Sequence, residues 1–194
     1  MLILKSIAVA IVLLFSSAFS TQESQEASSG AFSIDIVHST AIFRAHHLGA
    51  GMFYGRFNDV SGTIELTEGL PSFIVSIAID SVDTSNEKLD SHLESPDFFN
   101  AVEFPTMTFT SASAKKIGDE KYEVVGEITM HGVTKPLTVL MKKTGQVTNR
   151  RGEMVGFETE FTLTRSEFGM NYGVESGALS DNVKVIVALE AARK

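Results

Sequence analysis

Polar and apolar residues alternate at period two through most of this chain, and that pattern restricts it to β-structure. The stretch from Phe73 to Ile79 is one example, and similar stretches recur between Phe32 and Leu189. Successive side chains of a strand point to opposite faces, so each stretch predicts a strand with one buried face. Short Gly, Asn and Asp turns join the stretches and no βαβ spacing occurs, which indicates an antiparallel sheet.

A sheet of this length must cover its apolar face, and closure into a barrel also removes its exposed edges. A closed barrel of about eight strands is either filled by side chains or holds one small ligand. Small inward residues leave space for a ligand if they lie at the same level along the barrel axis. They leave none if small and large residues interlock. The inward set mixes both sizes: Phe43, Phe57, Phe109, Phe157 and Phe161 with Ala41, Ala45 and Gly126.

One stretch, residues 83–110, departs from the strand pattern. Thr84 and Glu87 form a capping-box pattern, which predicts that a helix begins at Thr84. Ser95 and Pro96 predict its end, because the residue before proline is disfavoured in the α region. All other stretches after the leader indicate strands and turns, so we expect this short helix to cap or brace one end of the barrel.

The first 30 residues are predicted to lie outside the domain. Residues 1–20 combine Lys5, an apolar run and the small residues Ala18 and Ser20, which is typical of a signal peptide. An uncleaved N-terminal anchor is the alternative. Residues 21–30 are small and polar and predict a disordered spacer, which leaves residues 31–194 as one barrel domain. We therefore expect a periplasmic or extracellular protein.

Charge and cysteine content narrow the classes of partner. The formal net charge is −8 and there is no cysteine. An acidic surface argues against binding to nucleic acid or to an anionic membrane, and an exported chain without cysteine has no disulfides. After the leader no apolar run is long enough to span a bilayer, so no stable membrane insertion is expected after cleavage.

Five segments carry a family resemblance over nearly the whole chain after the leader: FSIDIVHSTAIFRAHHLG, GRFNDVSGTIEL, VDTSNEKLDSHLESPDFFNAVEFPTMTFTS, GEITMHGVTKPLTV and RSEFGMNY. Their order and spacing resemble the YceI-like family of exported polyisoprenoid-binding proteins. The resemblance implies a lipocalin-like antiparallel barrel with a helix over one end and a long apolar pocket. Its implied ligand is an isoprenoid quinone-type molecule or another prenyl lipid. A larger aliphatic residue is usual in that family at the position of Ala45.

The inward phase of the strands predicts the apolar wall of such a pocket: Ala41, Phe43, Ala45, Phe57, Val75, Ile77, Met107, Phe109, Val124, Ile128, Leu137, Val139, Phe157 and Phe161. Contacts to a polar head group are expected near the mouth. The candidates are His47, Arg56, Lys88 and Asn171. For His47 the alternative is a structural hydrogen bond, for Arg56 a surface ion pair, and for Lys88 a solvated side chain.

Three functions stay open at this point. The first is an exported carrier or storage protein for a long-chain isoprenoid or similar amphiphile. The second is a stress-related barrel with a filled interior that acts through a protein partner, and the third is a lyase or isomerase with His47 as general base. We predict no enzyme, no catalytic residue and no metal, because the five histidines have no shared-ligand spacing and no nucleophile motif occurs. A homodimer through paired long strands is left open.

Overall fold

The structure, a computed structural model, describes residues 30–194. In chain order the strands are β1 (Gly30–Ile34), β2 (Thr40–His47), β3 (Gly51–Phe57), β4 (Val60–Thr67), β5 (Leu70–Ala78), β6 (Val82–Asp83), β7 (Thr106–Gly118), β8 (Lys121–Met130), β9 (Val133–Asn149), β10 (Gly152–Thr164) and β11 (Asn182–Arg193). One α-helix, α1 (Glu87–Glu94), and two 3-10 turns, Ile79–Ser81 and Arg165–Phe168, complete the described elements. The leader and all but the last residue of the predicted spacer lie outside the described residues.

The strands close into an antiparallel barrel. Pairing runs in the order β1, β4, β5, β7, β8, β9, β10 and β11, and β11 pairs with β1 again, which makes a ring of eight. After a break at residues 35–39 the chain continues as β2 on the same neighbour, β11, and β3 pairs with β2 before the chain enters β4. The predicted eight-stranded antiparallel barrel is therefore confirmed, as is its one short helix.

Helix α1 begins two residues later than the capping-box pattern predicts. Its N-cap is Asn86, whose side-chain oxygen accepts hydrogen bonds from the N–H groups of Lys88 and Leu89 at 3.1 and 3.2 Å. The Thr84 hydroxyl donates to the Asp90 carboxylate at 2.6 Å instead. The predicted start at Thr84 is wrong because a turn through Ser85, whose φ is 62°, still separates β6 from the helix. The predicted end before Pro96 is confirmed by the C-cap at Ser95.

Between residues 30 and 194, no helix has the length and apolar character that crossing a bilayer requires.

Replacing the observed N-cap tests this helix start. We expect Asn86→Ala to lower the free energy of unfolding by about 1 kcal/mol, because two N–H groups lose their acceptor. Thermal unfolding followed by circular dichroism should show a decrease of roughly 2–4 °C in Tm. Glu87→Ala is the control, since the capping-box interpretation would make it the costly change. A larger loss for Glu87→Ala than for Asn86→Ala would contradict the observed cap.

One end of the barrel is closed by its own side chains, and we call it the filled end. The largest fully buried side chains of the described chain that lie at this end are Phe32, Ile64, Pro71, Phe73, Val124, Val155 and Phe157. The Phe157 ring meets Phe73 edge-on at 5.1 Å between centroids, and Tyr122 at 6.4 Å. The Arg193 guanidinium lies over the Phe32 ring at 5.0 Å, which covers the core at this end.

The break between β1 and β2 holds a charged surface cluster. The Asp35 carboxylate accepts from the Val37 N–H at 2.8 Å and lies 2.8 Å from His38 Nδ1, and Glu190 Oε1 lies 3.8 Å from that nitrogen. The bond from His38, and then the bond from Val37, lower the pKa of Asp35, whereas the bond to Asp35 and then its charge raise the pKa of His38. Ligating atoms of Asp35, His38 and Glu190 lie within 4.8 Å of one another. His38 is exposed, Asp35 and Glu190 are half-buried, and Asp35 already bonds His38, so we interpret the cluster as a surface ion pair.

We expect Asp35→Asn to lower the pKa of His38, which NMR titration of its ring measures directly. The raised His38 pKa gives stability that is complete below the unfolded-state value and lost as pH rises through the folded value. The lowered Asp35 pKa gives stability that is present above its unfolded value and lost as pH falls through the folded one. The pair therefore stabilises the folded state mainly between about pH 4 and 6.5. Glu190→Gln should move the titration less, and an unchanged titration in Asp35→Asn would contradict the pairing.

Candidate functional site

The other half of the barrel is hollow. It encloses a cavity of about 560 Å³ that ends on Phe73 at the filled end and reaches the surface beside Leu48 and Tyr172, whose side chains are exposed. A volume of this size lies within the roughly 300–1,000 Å³ range of sites that hold small organic ligands. The structure therefore does not have the fully filled interior that interlocking side chains would produce.

Two glycines help to make this room. The Phe43 ring lies against Gly55, where a Cβ atom would come within 2.3 Å of it, and the Phe109 ring lies in the same way against Gly126 at 2.8 Å. Gly126 is not part of the cavity wall, so it widens the cavity through the ring that covers it. Ala41 and Ala45 line the wall directly.

Twelve of the fourteen predicted apolar residues lie on the cavity wall. They are Ala41, Phe43, Ala45, Phe57, Val75, Ile77, Met107, Phe109, Ile128, Leu137, Val139 and Phe161. Val124 and Phe157 do not line it. Both point inward, as their phase predicts, but they lie below the cavity in the filled end, where they are 0% and 1% exposed.

We call the cover of the cavity the roof, which consists of α1 and residues 95–105 and 169–181. Its side chains on the cavity wall are Leu89, His92, Leu93, Phe98, Phe99, Met170, Tyr172, Ala178 and Leu179. The two parts of the roof meet in an aromatic cluster, because the rings of His92, Phe98 and Tyr172 lie 5.0 Å apart pairwise. His131 Nδ1 lies 2.9 Å from the carbonyl of Phe168, the residue just before the second part of the roof, and so holds that part near the β8–β9 turn.

The wall of the cavity is apolar except for a few groups, of which Arg165 is the most buried cation. Its Nε donates to the Ser180 carbonyl at 2.9 Å and its Nη1 to the Met170 carbonyl at 3.0 Å. Its Nη2 donates to the carbonyls of Tyr172 and Leu179 at 2.7 and 3.2 Å. The side chain is 5% exposed. Arg165 thus fixes the second segment of the roof on the barrel.

The structure separates the four head-group candidates. His47 lies on the cavity wall at the exposed end of β2, beside Leu179. Arg56, Lys88 and Asn171 are not among the lining residues. Arg56 Nη2 lies 3.2 Å from the Asp83 carboxylate, as the surface ion-pair alternative predicts, and Lys88 is exposed on α1. The Asn171 amide donates to the Gly169 carbonyl at 3.3 Å.

Several lining residues were not predicted from the sequence, including Phe53, His92, Thr159, Arg165 and Tyr172. For Thr159 and Arg165 a signal was present, because both continue the inward phase of Phe157, Phe161 and Leu163 on β10. The Thr159 hydroxyl donates to the Leu140 carbonyl at 3.0 Å, which explains a buried polar residue in this phase. In the roof, the spacing of Leu89, His92 and Leu93 by three and four residues puts them on one face of α1, the face that lines the cavity. Residues 95–105 and 169–181 have no regular period, and nothing in their spacing indicates which of them face the cavity.

Comparison with known proteins identifies relatives over the same part of the chain. The family model for the YceI-like domain matches residues 32–191. Protein YceI of Salmonella arizonae is 38% identical over 161 residues, which are 81% of this chain and 83% of that protein. The family match covers all the strands that line the cavity except the last two residues of β11.

Two solved structures have the same fold. The YceI protein of Campylobacter jejuni is 32% identical with a TM-score of 0.69, and the alignment covers 77% of this chain and 90% of that one. A polyisoprenoid binding domain from Saccharophagus degradans has a TM-score of 0.68 over 84% of this chain and 98% of its own. At 16% identity that second likeness shows the fold alone.

Proposed function

This chain belongs to the YceI-like domain family, and on that premise we propose that it is an exported protein that sequesters or carries a long-chain isoprenoid or a similar amphiphilic lipid in the barrel. The hollow half of the barrel is the observation that carries the proposal. A cavity of about 560 Å³ walled by aliphatic and aromatic side chains has the size and chemistry for an apolar chain. The polyisoprenoid binding domain of Saccharophagus degradans, which has the same fold, supports this ligand class by analogy.

The apolar wall supplies affinity from water but little selectivity. Transfer of a prenyl chain from water into the cavity is favourable by about 0.8 kcal/mol per buried CH₂. A lipid that comes from a bilayer, however, exchanges one apolar medium for another, so its net gain is small. Selection among lipids must then come from the fit of the chain and from a few polar contacts. We propose the twelve lining residues as the chain site and His47 as a contact at the mouth.

Export is proposed from the leader at residues 1–20, which combines a basic residue, an apolar run and small residues at its end. We expect the mature protein to begin after Ser20 and to occur in the periplasmic or extracellular fraction. Mass spectrometry of the intact protein from fractionated cells measures both. A full-length mass in the membrane fraction would instead support the anchor alternative.

Organic extraction of protein purified from its own host tests the ligand. We expect native mass spectrometry to show an adduct on the folded protein, and the extract to contain a prenyl lipid or similar amphiphile in stoichiometric amount. Protein that has been unfolded in denaturant, washed and refolded is the control, and it should lose the adduct and regain it from a lipid extract. Folded protein that is empty from the host and takes up nothing from the extract would refute the proposal.

A further inference from the structure

We propose that Arg165 selects ligands with an anionic oxygen head group, a carboxylate or a phosphate, by placing a buried positive charge on the wall of the cavity. This inference rests on the proposed function and specifies the ligand of the same site. It assigns the head-group contact to the end of β10, beneath residues 169–181 of the roof. Arg165 is not one of the four candidates predicted from the sequence.

Arg165 brings a positive charge to the cavity wall. The side chain is 5% exposed and still carries a guanidinium, because burial lowers its pKa from a value so high that the group stays protonated in proteins. Its four acceptors are backbone carbonyls, which are neutral dipoles. A buried charge is costly unless it is paired, so an anion in the cavity would be stabilised beside it.

The nearby carboxylate of Asp181 does not neutralise this charge by direct contact. Asp181 raises the pKa of Arg165 through its charge. Its two oxygens, however, accept from the N–H and the hydroxyl of Ser166 at 2.8 and 2.7 Å. Within the part of the chain that the structure describes, the ion pairs found do not include Arg165.

Arg165 has one more N–H donor than the carbonyl groups use. A guanidinium has five N–H groups, and the four bonds to carbonyls use one of Nε, one of Nη1 and two of Nη2. Every nitrogen is therefore satisfied when the cavity is empty, and one N–H of Nη1 is left for a ligand. A charge-assisted hydrogen bond from arginine to a carboxylate or phosphate is about twice as strong as a neutral one.

The other polar groups on the wall are less suited to this role. His92 Nε2 lies 3.1 Å from the Asp97 carboxylate, and the Thr159 hydroxyl is engaged by the Leu140 carbonyl. His47 is exposed at the mouth, where water competes for its bonds. Arg165 alone among the lining residues of the described chain combines a permanent charge with burial.

The experiment compares ligands that share one chain and differ in the head group. Delipidated wild-type protein is titrated by calorimetry at neutral pH with farnesoic acid, farnesyl phosphate and farnesol. We expect the two anions to bind at least about tenfold more tightly than the alcohol. A preference for only one of the anions supports the inference and identifies which head group fits. Equal binding of all three refutes the inference but leaves the proposed function intact, whereas binding of none refutes both.

Variants then assign the preference to a residue. Arg165→Met keeps an apolar side chain and removes the charge, and it should bring the ratio of acid to alcohol affinity close to one. Arg150→Met, the same change at the exposed β9–β10 turn, should leave that ratio unchanged. If Arg165→Met does not fold, as circular dichroism would show, the comparison of ligands on the wild type still decides. A preference that persists in folded Arg165→Met, or that disappears in Arg150→Met, refutes the assignment.

Discussion

Phe157→Ala is expected to lower the free energy of unfolding by about 3–5 kcal/mol, the largest loss of stability that we predict for this chain. The ring is 1% exposed and packs against Phe73 and Tyr122 in the filled end. Its removal deletes buried apolar surface and leaves a void that a closed ring of strands cannot collapse around. A domain of this kind has only about 5–15 kcal/mol of stability, so the variant should be close to unfolding at moderate temperature.

Phe161→Ala is the matched control, four residues further along the same strand. Phe161 has the same inward phase as Phe157 but lies on the cavity wall and is only half-buried. One side of its ring has no protein atoms to contact, so truncation should cost only about 1–2 kcal/mol. The difference between the two losses of free energy therefore shows whether the filled end stops between Phe157 and Phe161.

Urea unfolding of delipidated protein, followed by circular dichroism, gives both free energies. The protein must be delipidated because a bound lipid chain would contact Phe161. That contact would raise the apparent loss of stability in Phe161→Ala. Equal losses for the two variants would mean that the interior is packed evenly along its axis. In that case the cavity is not present in solution, and the proposed function loses its main support.

The strands and their faces could be predicted from the sequence because period two encodes exactly that property. The alternation along β5, β8, β10 and β11 has no other interpretation, and closure followed from the need to cover one apolar face. The start of α1 could not be predicted with the same accuracy. Both Thr84 and Asn86 are good N-caps, and the choice depends on the turn at Ser85 that ends β6.

The level of a residue along the barrel axis could not be predicted. The period-two alternation of a strand predicts that Val124 and Phe157 point inward. It does not predict whether they contact other side chains or an empty space. That depends on how far neighbouring strands are staggered, which the turns and the pairing register determine together. The same limit applies to Gly126. Its small size indicated room, but a ring from the next strand covers it.

The polar part of the site was missed for a different reason. Head-group candidates were sought among exposed basic residues near the expected mouth, and Arg56 and Lys88 are such residues. Arg165 follows Leu163 at the inward phase of β10, where the pattern predicts an apolar side chain. A charged residue that continues an apolar phase is a strong indication of a buried polar site, because its burial must be compensated.

Ala45→Phe is expected to weaken the binding of a prenyl ligand by at least about tenfold while the barrel stays folded. Ala45 is 5% exposed on β2 and its methyl group faces the cavity. A benzyl group there takes the space of several ligand carbons, and each CH₂ kept in water costs about 0.8 kcal/mol. Stability should not fall much, since the new ring enters empty volume and gains contacts. Calorimetric titration of delipidated protein with farnesoic acid measures the loss.

Ala112→Phe is the control for this change. Ala112 is exposed on β7, so the same ring is added without entering the barrel, and binding should stay at the wild-type level. Thermal unfolding of both variants separates blocked binding from misfolding, because a blocked cavity predicts a Tm close to that of the wild type. If folded Ala45→Phe binds as tightly as the wild type, the ligand lies outside the barrel. The twelve lining residues would then form a structural core rather than a binding site.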